Sequence, residues 1–230
     1  MVRFLDFRIA SLIIGYALGM IQTSYIVGKM SGIDIRDHGS NSAGFTNTNR
    51  VLGFKKGAIV FAIDVIKAML AFAVATVVYN HMFAGDIFLT AGGTFFASGY
   101  VLPGLYAGLG AILGHCFPFY LKFKGGKGVA CLLGIIIMLD WRIVAISFAI
   151  GVIAVSITRM ISVASLFISL SVPILIFIFM YMQIPYSMPR TLEPVWVAAV
   201  LCALVWFLHR ANIKRLLTGT ENKFSFKKKA

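Results

Sequence analysis

Apolar residues fall in long runs separated by short polar breaks, a pattern that predicts an all-α integral membrane protein. A bilayer core requires about twenty residues of helix, and seven runs come near that length: 9–28, 57–79, 87–114, 127–139, 142–158, 162–183 and 194–209. Only Leu139-Asp140-Trp141-Arg142 separates the fourth from the fifth, which predicts a tight hairpin. Pro103 predicts a kinked or broken third span. We therefore expect about seven transmembrane helices, some short or broken, in one polytopic domain covering 1–230.

Composition supports this class and excludes a soluble one. Of 230 residues, 60% are hydrophobic and 13% charged, and the mean hydropathy is +0.91, values that soluble domains of this size do not normally show. No length remains for a separate soluble domain. The cysteines number three, lie in or beside spans and show no Cys/His metal spacing, so packing is their expected role. We expect no metal and no cofactor.

The positive charge orients the chain. The sequence has 21 Lys and Arg against 8 Asp and Glu, a formal net charge of +13. Sixteen cations fall on one side of the predicted spans and four on the other, while Lys67 lies within the second span. Because Lys and Arg resist translocation, this predicts an amino terminus outside and a cytoplasmic carboxyl terminus. Attraction to anionic membrane lipid is an alternative reason for the charge, whereas nucleic acid binding is disfavoured because the charge lies against the membrane.

The first predicted cytoplasmic segment, 38–53, is rich in small and polar residues and is closed by an arginine. Backbone N–H groups can approach an anion closely in such a segment, so it predicts a phosphate cradle. A flexible polar loop is the alternative. The candidate ligands are Gly39, Ser40, Asn41, Ser42, Ala43, Gly44, Thr46, Asn47 and Arg50.

The second segment, 114–129, places Lys127 among Gly125, Gly126 and Gly128 at the start of a helix. A lysine there can present its ammonium and nearby backbone N–H groups to one phosphate, although the spacing is not that of a P-loop. Lysines that merely stop translocation are the alternative.

The third segment, 208–223, spaces His209, Asn212 and Arg215 by three residues, so they share one face of a helix that ends near Gly219. An amphipathic tail on an anionic membrane surface is the commoner reading of such a segment taken alone.

Polar residues near or within the spans give weaker signals. Asp64 and Lys67 are three apart in the second span, where each charge alone is costly, so we expect a structural ion pair. Ser162 and Ser165 place two hydroxyls near the cytoplasmic turn at Arg159, although such serines often bond their own backbone. The sequence from His81 to Asp86 matches the His-x4-Asp pattern of acyl-CoA-dependent glycerolipid acyltransferases, but its predicted position outside indicates coincidence.

The three segments together resemble the three cytoplasmic signatures of the bacterial acyl-phosphate:glycerol-3-phosphate acyltransferase family, PlsY. The resemblance implies a multi-pass plasma-membrane enzyme that acylates the 1-hydroxyl of glycerol 3-phosphate from acyl phosphate, without coenzyme A, acyl carrier protein or metal, and gives lysophosphatidic acid and phosphate. It implies functional roles for Ser40, Arg50, Lys127, His209 and Asn212, and for either Ser162 or Ser165.

The first signature departs from the family pattern. Asn41 stands where the family often has glycine, and Ser42 where it often has asparagine. Asparagine tolerates positive φ better than other non-glycine residues, so a phosphate nest can survive this exchange.

The expected arrangement places acyl phosphate against residues 39–47 and glycerol 3-phosphate against Arg50, Lys127, His209 and Asn212. A phosphate oxygen of the substrate is the favoured acceptor of the hydroxyl proton, with His209 orienting the hydroxyl. A transporter of phosphorylated metabolites and a lipid-binding scaffold are the alternative functions. We infer no obligatory protein partner.

Overall fold

The computed structural model describes residues 2–84, 101–182 and 191–223, and across these ranges it contains helices and no strands. The predicted all-helical class is therefore confirmed. Ten helices of eight or more residues lie in these ranges: α1 Val2–Gly19, α2 Thr23–Met30, α3 Phe45–Leu52, α4 Phe54–Tyr79, α5 Val101–Cys116, α6 Val129–Leu139, α7 Trp141–Thr158, α8 Ile161–Tyr181, α9 Glu193–Leu208 and α10 Arg210–Leu217.

Helix lengths agree with some of the predicted spans and differ from others. Five stretches are long and apolar enough to cross a bilayer: Phe7–Met30, Phe54–Met82, Val101–Leu121, Trp141–Thr158 and Ile161–Tyr181. Helices α9 and α10, bent by 60° relative to each other, would make a sixth. Helix α6, with 11 residues, extends only about 16 Å, so it is one of the short helices that the sequence predicts. The part of the third predicted span that precedes Val101 lies outside the described residues.

The first predicted span, 9–28, lies within the apolar stretch Phe7–Met30, but it consists of two helices because the chain is interrupted between α1 and α2. Polar groups from other helices bind the interruption. Lys67 Nζ donates to the Ile21 carbonyl at 2.7 Å, and the side-chain amide of the buried Gln22 donates to the His115 carbonyl at 2.5 Å. These contacts replace helical hydrogen bonds that cannot be left unmade in a membrane.

Small residues bring α1 and α5 into backbone contact. A Cβ added to Gly15 would collide with the backbone of Ala107, and one added to Gly19 would collide with Ala111. Rising residue numbers meet rising ones, so the two helices run in the same direction. Close approach through small residues is the usual way that helices pack in membranes.

An ion pair and a one-residue connection hold helices together away from the predicted cytoplasmic segments. Arg8 of α1 pairs with Glu193 of α9 at 2.6 Å, and the Tyr106 hydroxyl of α5 donates to the same carboxylate at 2.8 Å. Asp140 alone connects α6 to α7 and accepts from the Arg142 backbone N–H at 2.8 Å. The tight connection predicted at this point is confirmed.

Candidate active site

A cavity of about 280 Å³ lies where the three predicted cytoplasmic segments meet. Its polar wall combines residues distant in sequence: Ser40, Ser42, Thr46, Asn47, Arg50, Asp64, His115, Lys127, Ser162, Ser165, His209, Asn212, Arg215, Glu221, Asn222 and Lys223. Its apolar wall includes Phe45, Phe61, Leu133, Ile136, Phe148 and Ile168. Phe61 is 36% exposed and Phe148 59% exposed on the bundle surface. The apolar wall therefore continues onto the surface that faces lipid.

Most of the predicted site residues line this cavity. The five expected to be catalytic all do so: Ser40, Arg50, Lys127, His209 and Asn212. Six of those expected to bind substrate also do so: Ser42, Gly44, Thr46, Asn47, Ser162 and Ser165. The other five do not line the cavity but belong to the same two glycine-rich segments: Gly39, Asn41, Ala43, Gly125 and Gly126.

The first segment is held in shape by Asn47. Its side-chain oxygen accepts from the Ser40 backbone N–H at 2.8 Å, and its amide hydrogens go to the carbonyls of Ile35 at 3.0 Å and His38 at 2.9 Å. Gly39 and Asn41 take left-handed φ values of 64° and 56°. The expectation that Asn41 tolerates positive φ is thereby confirmed, and the Asn47 side chain serves the loop itself.

Helix α3, which the sequence pattern does not predict, completes this segment. Thr48 makes the first backbone hydrogen bond of the helix, to the Gly44 carbonyl at 3.0 Å. The backbone N–H groups of Phe45, Thr46 and Asn47 therefore have no carbonyl partner within the helix. Free N–H groups at the first turn of a helix favour an anion.

The second segment is bound to both its neighbours. Gly126 N–H donates to the His115 carbonyl at 3.1 Å, and Ala43 N–H donates to the Gly125 carbonyl at 3.3 Å. Gly128, with φ of 79°, directs the chain into α6. Lys127 then reaches the third segment, where its ammonium donates to the Asn212 side-chain oxygen. Burial, assisted by repulsion from Arg215, lowers the Lys127 pKa to about 8.

The third segment is organised by Glu221. Its carboxylate accepts from Ser162 Oγ at 3.0 Å, from Asn212 Nδ2 at 2.8 Å and from Arg215 Nε at 2.8 Å. Burial raises the Glu221 pKa, but the hydrogen bonds from Asn212, Arg215 and Ser162 outweigh it and leave the pKa below its usual value. Glu221 is therefore an ionised anchor that fixes the polar wall.

His209 lies at the bend between α9 and α10 and is buried. Its Nδ1 is 2.8 Å from the Val205 carbonyl oxygen. Because a carbonyl only accepts, Nδ1 carries the hydrogen, and Nε2 is left as an acceptor in the neutral ring. His209 and Asn212 share the cavity with Arg215, as their spacing of three predicts.

Asp64 and Lys67 form the ion pair that the sequence predicts, with Nζ and Oδ1 2.7 Å apart. Both are almost completely buried. Their partner His115, whose Nδ1 lies 2.9 Å from Lys67 Nζ, was not singled out by sequence reasoning. Its position within the second segment was the available signal. Asp64 and His115 also line the cavity, so this cluster has one side on the site.

The two candidate serines differ in their hydrogen bonds. Ser162 Oγ donates to Glu221, whereas Ser165 Oγ donates to the Ile161 carbonyl of its own helix at 2.9 Å. Ser162 thus belongs to the network that fixes the third segment. Ser165 follows the backbone-bonding pattern that serines in membrane helices commonly show.

Two other polar groups from the sequence lie away from the cavity wall. His81 is exposed in the turn Asn80–Ala84, beyond the far end of α4, while its predicted motif partner Asp86 lies outside the described residues. Asp34 is bound by Arg36 at 2.7 Å. The Arg36 hydrogen bond lowers the Asp34 pKa to about 2, which makes this carboxylate a poor proton acceptor.

The chain is similar to known proteins over almost its whole length. A sequence profile described as glycerol-3-phosphate acyltransferase matches residues 9–219. The chain belongs to the glycerol-3-phosphate acyltransferase family. One family member, from Mycoplasmopsis agalactiae, is 36% identical and the match covers 96% of this chain and 95% of the relative. Another, from Shouchella clausii, is 36% identical over 95% of this chain and 97% of the relative.

Two solved structures of the acyltransferase family have a fold similar to that of this chain. The crystal structure of PlsY, an integral membrane glycerol 3-phosphate acyltransferase, in its glycerol 3-phosphate form has a TM-score of 0.76 at 30% identity, covering 95% of this chain and 96% of that one. Its lysophosphatidic acid form has a TM-score of 0.71 at 29% identity, covering 95% of each chain. The family resemblance seen in the sequence is confirmed, and the protein is a membrane-embedded member of that family.

Proposed function

We propose that this protein transfers a fatty acyl group from acyl phosphate to the 1-hydroxyl of glycerol 3-phosphate, on the cytoplasmic face of a bacterial plasma membrane. The products are lysophosphatidic acid and phosphate. The observation that carries this proposal is a single cavity in which cationic side chains meet an apolar wall open to lipid. Such a cavity suits one lipid-soluble and one water-soluble phosphate ester. The glycerol 3-phosphate and lysophosphatidic acid forms of PlsY support the same substrate and product.

Acyl phosphate binds with its phosphate at the first segment. The first-turn N–H groups of α3 and the hydroxyls of Ser40, Ser42 and Thr46 supply uncharged donors there. The acyl chain then follows the apolar wall past Phe61 and Phe148 towards lipid. Burial of each methylene contributes roughly 0.8 kcal/mol, which favours a long chain.

Glycerol 3-phosphate binds at the cationic side of the cavity. Arg50, Lys127 and Arg215 line this side. Guanidinium groups grip phosphate in a bidentate manner, whereas an ammonium acts as a point charge. The Lys127 contact to Asn212 holds the ammonium in place before the substrate arrives. This contact limits the reorganisation that binding requires.

The acyl transfer is a direct displacement. The hydroxyl oxygen of glycerol 3-phosphate forms a bond to the acyl carbon, and the bond from that carbon to the phosphate oxygen breaks with its electron pair. His209 Nε2 orients the hydroxyl by accepting a hydrogen bond from it, and as the new carbon–oxygen bond forms the hydroxyl proton leaves for a phosphate oxygen of the substrate. Acyl phosphate is an activated mixed anhydride, so positioning and electrostatic stabilisation carry the rate.

The cytoplasmic location rests on charge. The segments that form the cavity, 38–53, 114–129 and 208–223, hold eight of the sixteen cations assigned to one side, and Lys and Arg are enriched in cytoplasmic segments. Lys124, exposed in the second segment, gives a direct test. In spheroplasts, Lys124→Cys should react with an impermeant maleimide only after lysis. Labelling of Lys124→Cys in intact spheroplasts would show that the cavity segments face outside and that the proposed orientation is wrong.

The activity test uses the purified protein in lipid vesicles. Acyl phosphate and labelled glycerol 3-phosphate should give labelled lysophosphatidic acid and one phosphate for each acyl transferred. Acyl-CoA in place of acyl phosphate should give no product. Efficient use of acyl-CoA would contradict the assignment of acyl phosphate as the acyl donor. Saturable uptake of glycerol 3-phosphate into the vesicles without acylation would contradict the proposed acyltransferase activity and favour a transporter.

A further inference from the structure

His115 combines deep burial with an open hydrogen-bonding atom. The residue is 3% exposed and lines the cavity. Its Nδ1 lies 2.9 Å from Lys67 Nζ. Among the described residues no hydrogen bond to its Nε2 is formed, so this nitrogen of a cavity-lining residue is left without a protein partner there.

Lys67 fixes which ring nitrogen of His115 carries the hydrogen. Its ammonium has three N–H groups and three neighbours: Asp64 Oδ1 at 2.7 Å, the Ile21 carbonyl at 2.7 Å and His115 Nδ1. An ammonium only donates, so Nδ1 must accept. In the neutral ring the hydrogen is then on Nε2. The cluster therefore leaves one ring N–H of a cavity-lining residue available and holds it in one direction.

That N–H lies where the first two segments meet. A Cβ added to Gly126 would collide with both His115 Nε2 and the Ala43 carbonyl oxygen. Glycine at this position therefore lets the second segment pass over the ring. The N–H sits between the segment proposed for acyl phosphate and Lys127 of the segment proposed for glycerol 3-phosphate. The reacting carbonyl has to lie between those two substrates.

We propose that His115 is a catalytic residue whose Nε2–H donates to the carbonyl oxygen of the acyl phosphate, with Lys67 and Asp64 as positioning residues. The inference rests on the proposed acyl transfer. As the alcohol oxygen bonds to the acyl carbon, the carbonyl oxygen gains negative charge, which the N–H stabilises. The carbonyl oxygen loses this negative charge when its double bond to carbon re-forms and the phosphate oxygen leaves with the electron pair of the broken bond. No proton leaves His115 during this step.

Charge favours a carbonyl over a phosphate as the ligand of His115. Asp64 and Lys67 cancel, so with a neutral imidazole the cluster carries no net charge. The cationic groups of the cavity are on other residues: Arg50, Lys127, Arg215 and Lys223. A neutral donor meets an uncharged ground-state carbonyl without binding it too tightly, and the contact strengthens as charge develops.

Steady-state kinetics in lipid test the role. His115→Phe removes the donor at similar volume, and we expect kcat to fall about 10²- to 10³-fold with little change in KM for either substrate. The matched His81→Phe, at an exposed histidine, should retain full activity. His115→Gln can restore a donor near the Nε2 position and should recover part of the loss. An unchanged kcat, or a loss confined to KM for acyl phosphate, would overturn the proposal.

A spectroscopic measurement on the unmutated protein tests the same inference, and its result does not depend on whether a His115 variant folds. The chain has four histidines, and 15N-histidine NMR in lipid distinguishes a protonated from an unprotonated ring nitrogen. We expect a neutral His115 ring with hydrogen on Nε2, and loss of that fixed form in Lys67→Met. An Nδ1–H ring or an imidazolium would contradict the inference.

These tests separate the inference from the proposed function. If the unmutated protein forms no lysophosphatidic acid, the proposed acyl transfer fails and the role of His115 fails with it. If the unmutated protein is active and His115→Phe matches it, the acyl transfer stands and only the role of His115 is overturned.

Discussion

His115 and His209 are both buried and both line the same cavity, yet their ring hydrogen bonds are reversed. An ammonium donates to His115 Nδ1, whereas a carbonyl accepts from His209 Nδ1. The cavity therefore faces a donor at one histidine and an acceptor at the other. An acyl transfer needs both, because the carbonyl oxygen gains charge while the attacking hydroxyl loses a proton.

The difference shows that residue type alone does not define a role in this site. Each histidine takes its hydrogen-bonding character from the group behind it: a buried cluster that joins α4 to α5 for His115, and the last turn of α9 for His209. The following predictions test this division, beginning with the largest expected effect.

Removing the acceptor at His209 should have the largest effect. His209→Asn can keep a donor to the Val205 carbonyl but loses Nε2, and we expect kcat to fall about 10³-fold, within the range for a group that assists proton transfer. His209→Gln places an amide oxygen nearer the Nε2 position and should retain more activity. Initial rates at saturating substrates measure both variants. Equal activity of His209→Asn and the unmutated protein would remove His209 from the reaction.

The charged side of the cavity should respond in KM more than in kcat. Lys127→Ala removes one charged contact to glycerol 3-phosphate, which typically contributes about 1.5–3 kcal/mol, so KM for this substrate should rise about 10²-fold. Lys124→Ala, a matched change at an exposed lysine of the same segment, should leave KM unchanged. If both variants behave alike, the segment provides general charge and Lys127 is no specific ligand.

The pH dependence of KM should follow Lys127. Its pKa, lowered to about 8 by burial, means that the ammonium is present below pH 8 and is lost as the pH rises. KM for glycerol 3-phosphate should therefore be constant between about pH 7 and pH 8, where the substrate phosphate is already ionised, and rise above pH 8 by up to about tenfold per pH unit.

Lys127→Arg supplies the control for this pH profile. A guanidinium stays charged throughout the range, so the rise in KM should disappear even if binding is weaker overall. A rise of the same size in Lys127→Arg would assign the titration to another group.

The apolar wall should give the smallest effect. Phe45 packs against Phe61 with ring centroids 5.3 Å apart, and both line the cavity. Phe45→Ala should widen the wall and shift the relative kcat/KM of branched over straight acyl phosphates by about three- to tenfold. Phe119→Ala, at an exposed ring outside the cavity wall, should not. An unchanged preference would exclude Phe45 from acyl selection.

Hydropathy and spacing predicted much of this architecture. The helical class, the tight connection at 139–142 and the pairing of Asp64 with Lys67 follow from local rules of burial and charge. The interruption of the first span could not be predicted, because it depends on Lys67 and His115, which are distant in sequence and supply its hydrogen bonds. Helix α3 escaped prediction because its residues lack a long apolar stripe.

The candidate site shows the same limit. Motifs identified Arg50, Lys127, His209 and Asn212 as candidates, and one cavity contains all four. The roles of Glu221 and His115 depend on three-dimensional contacts. Glu221 binds Ser162, and His115 binds Lys67. Neither contact has a periodic signal in the chain.

The interruption between α1 and α2 has a consequence for protein design. The interruption frees the Ile21 carbonyl, which accepts a hydrogen bond from the third N–H of the Lys67 ammonium. A continuous helix of equal hydropathy would recover that carbonyl for itself and leave the ammonium with an unmet donor in hydrocarbon. Hydropathy-matched replacements of this segment are therefore not interchangeable, and a redesigned first span has to retain the gap at Ile21 in order to keep a charged lysine in the second.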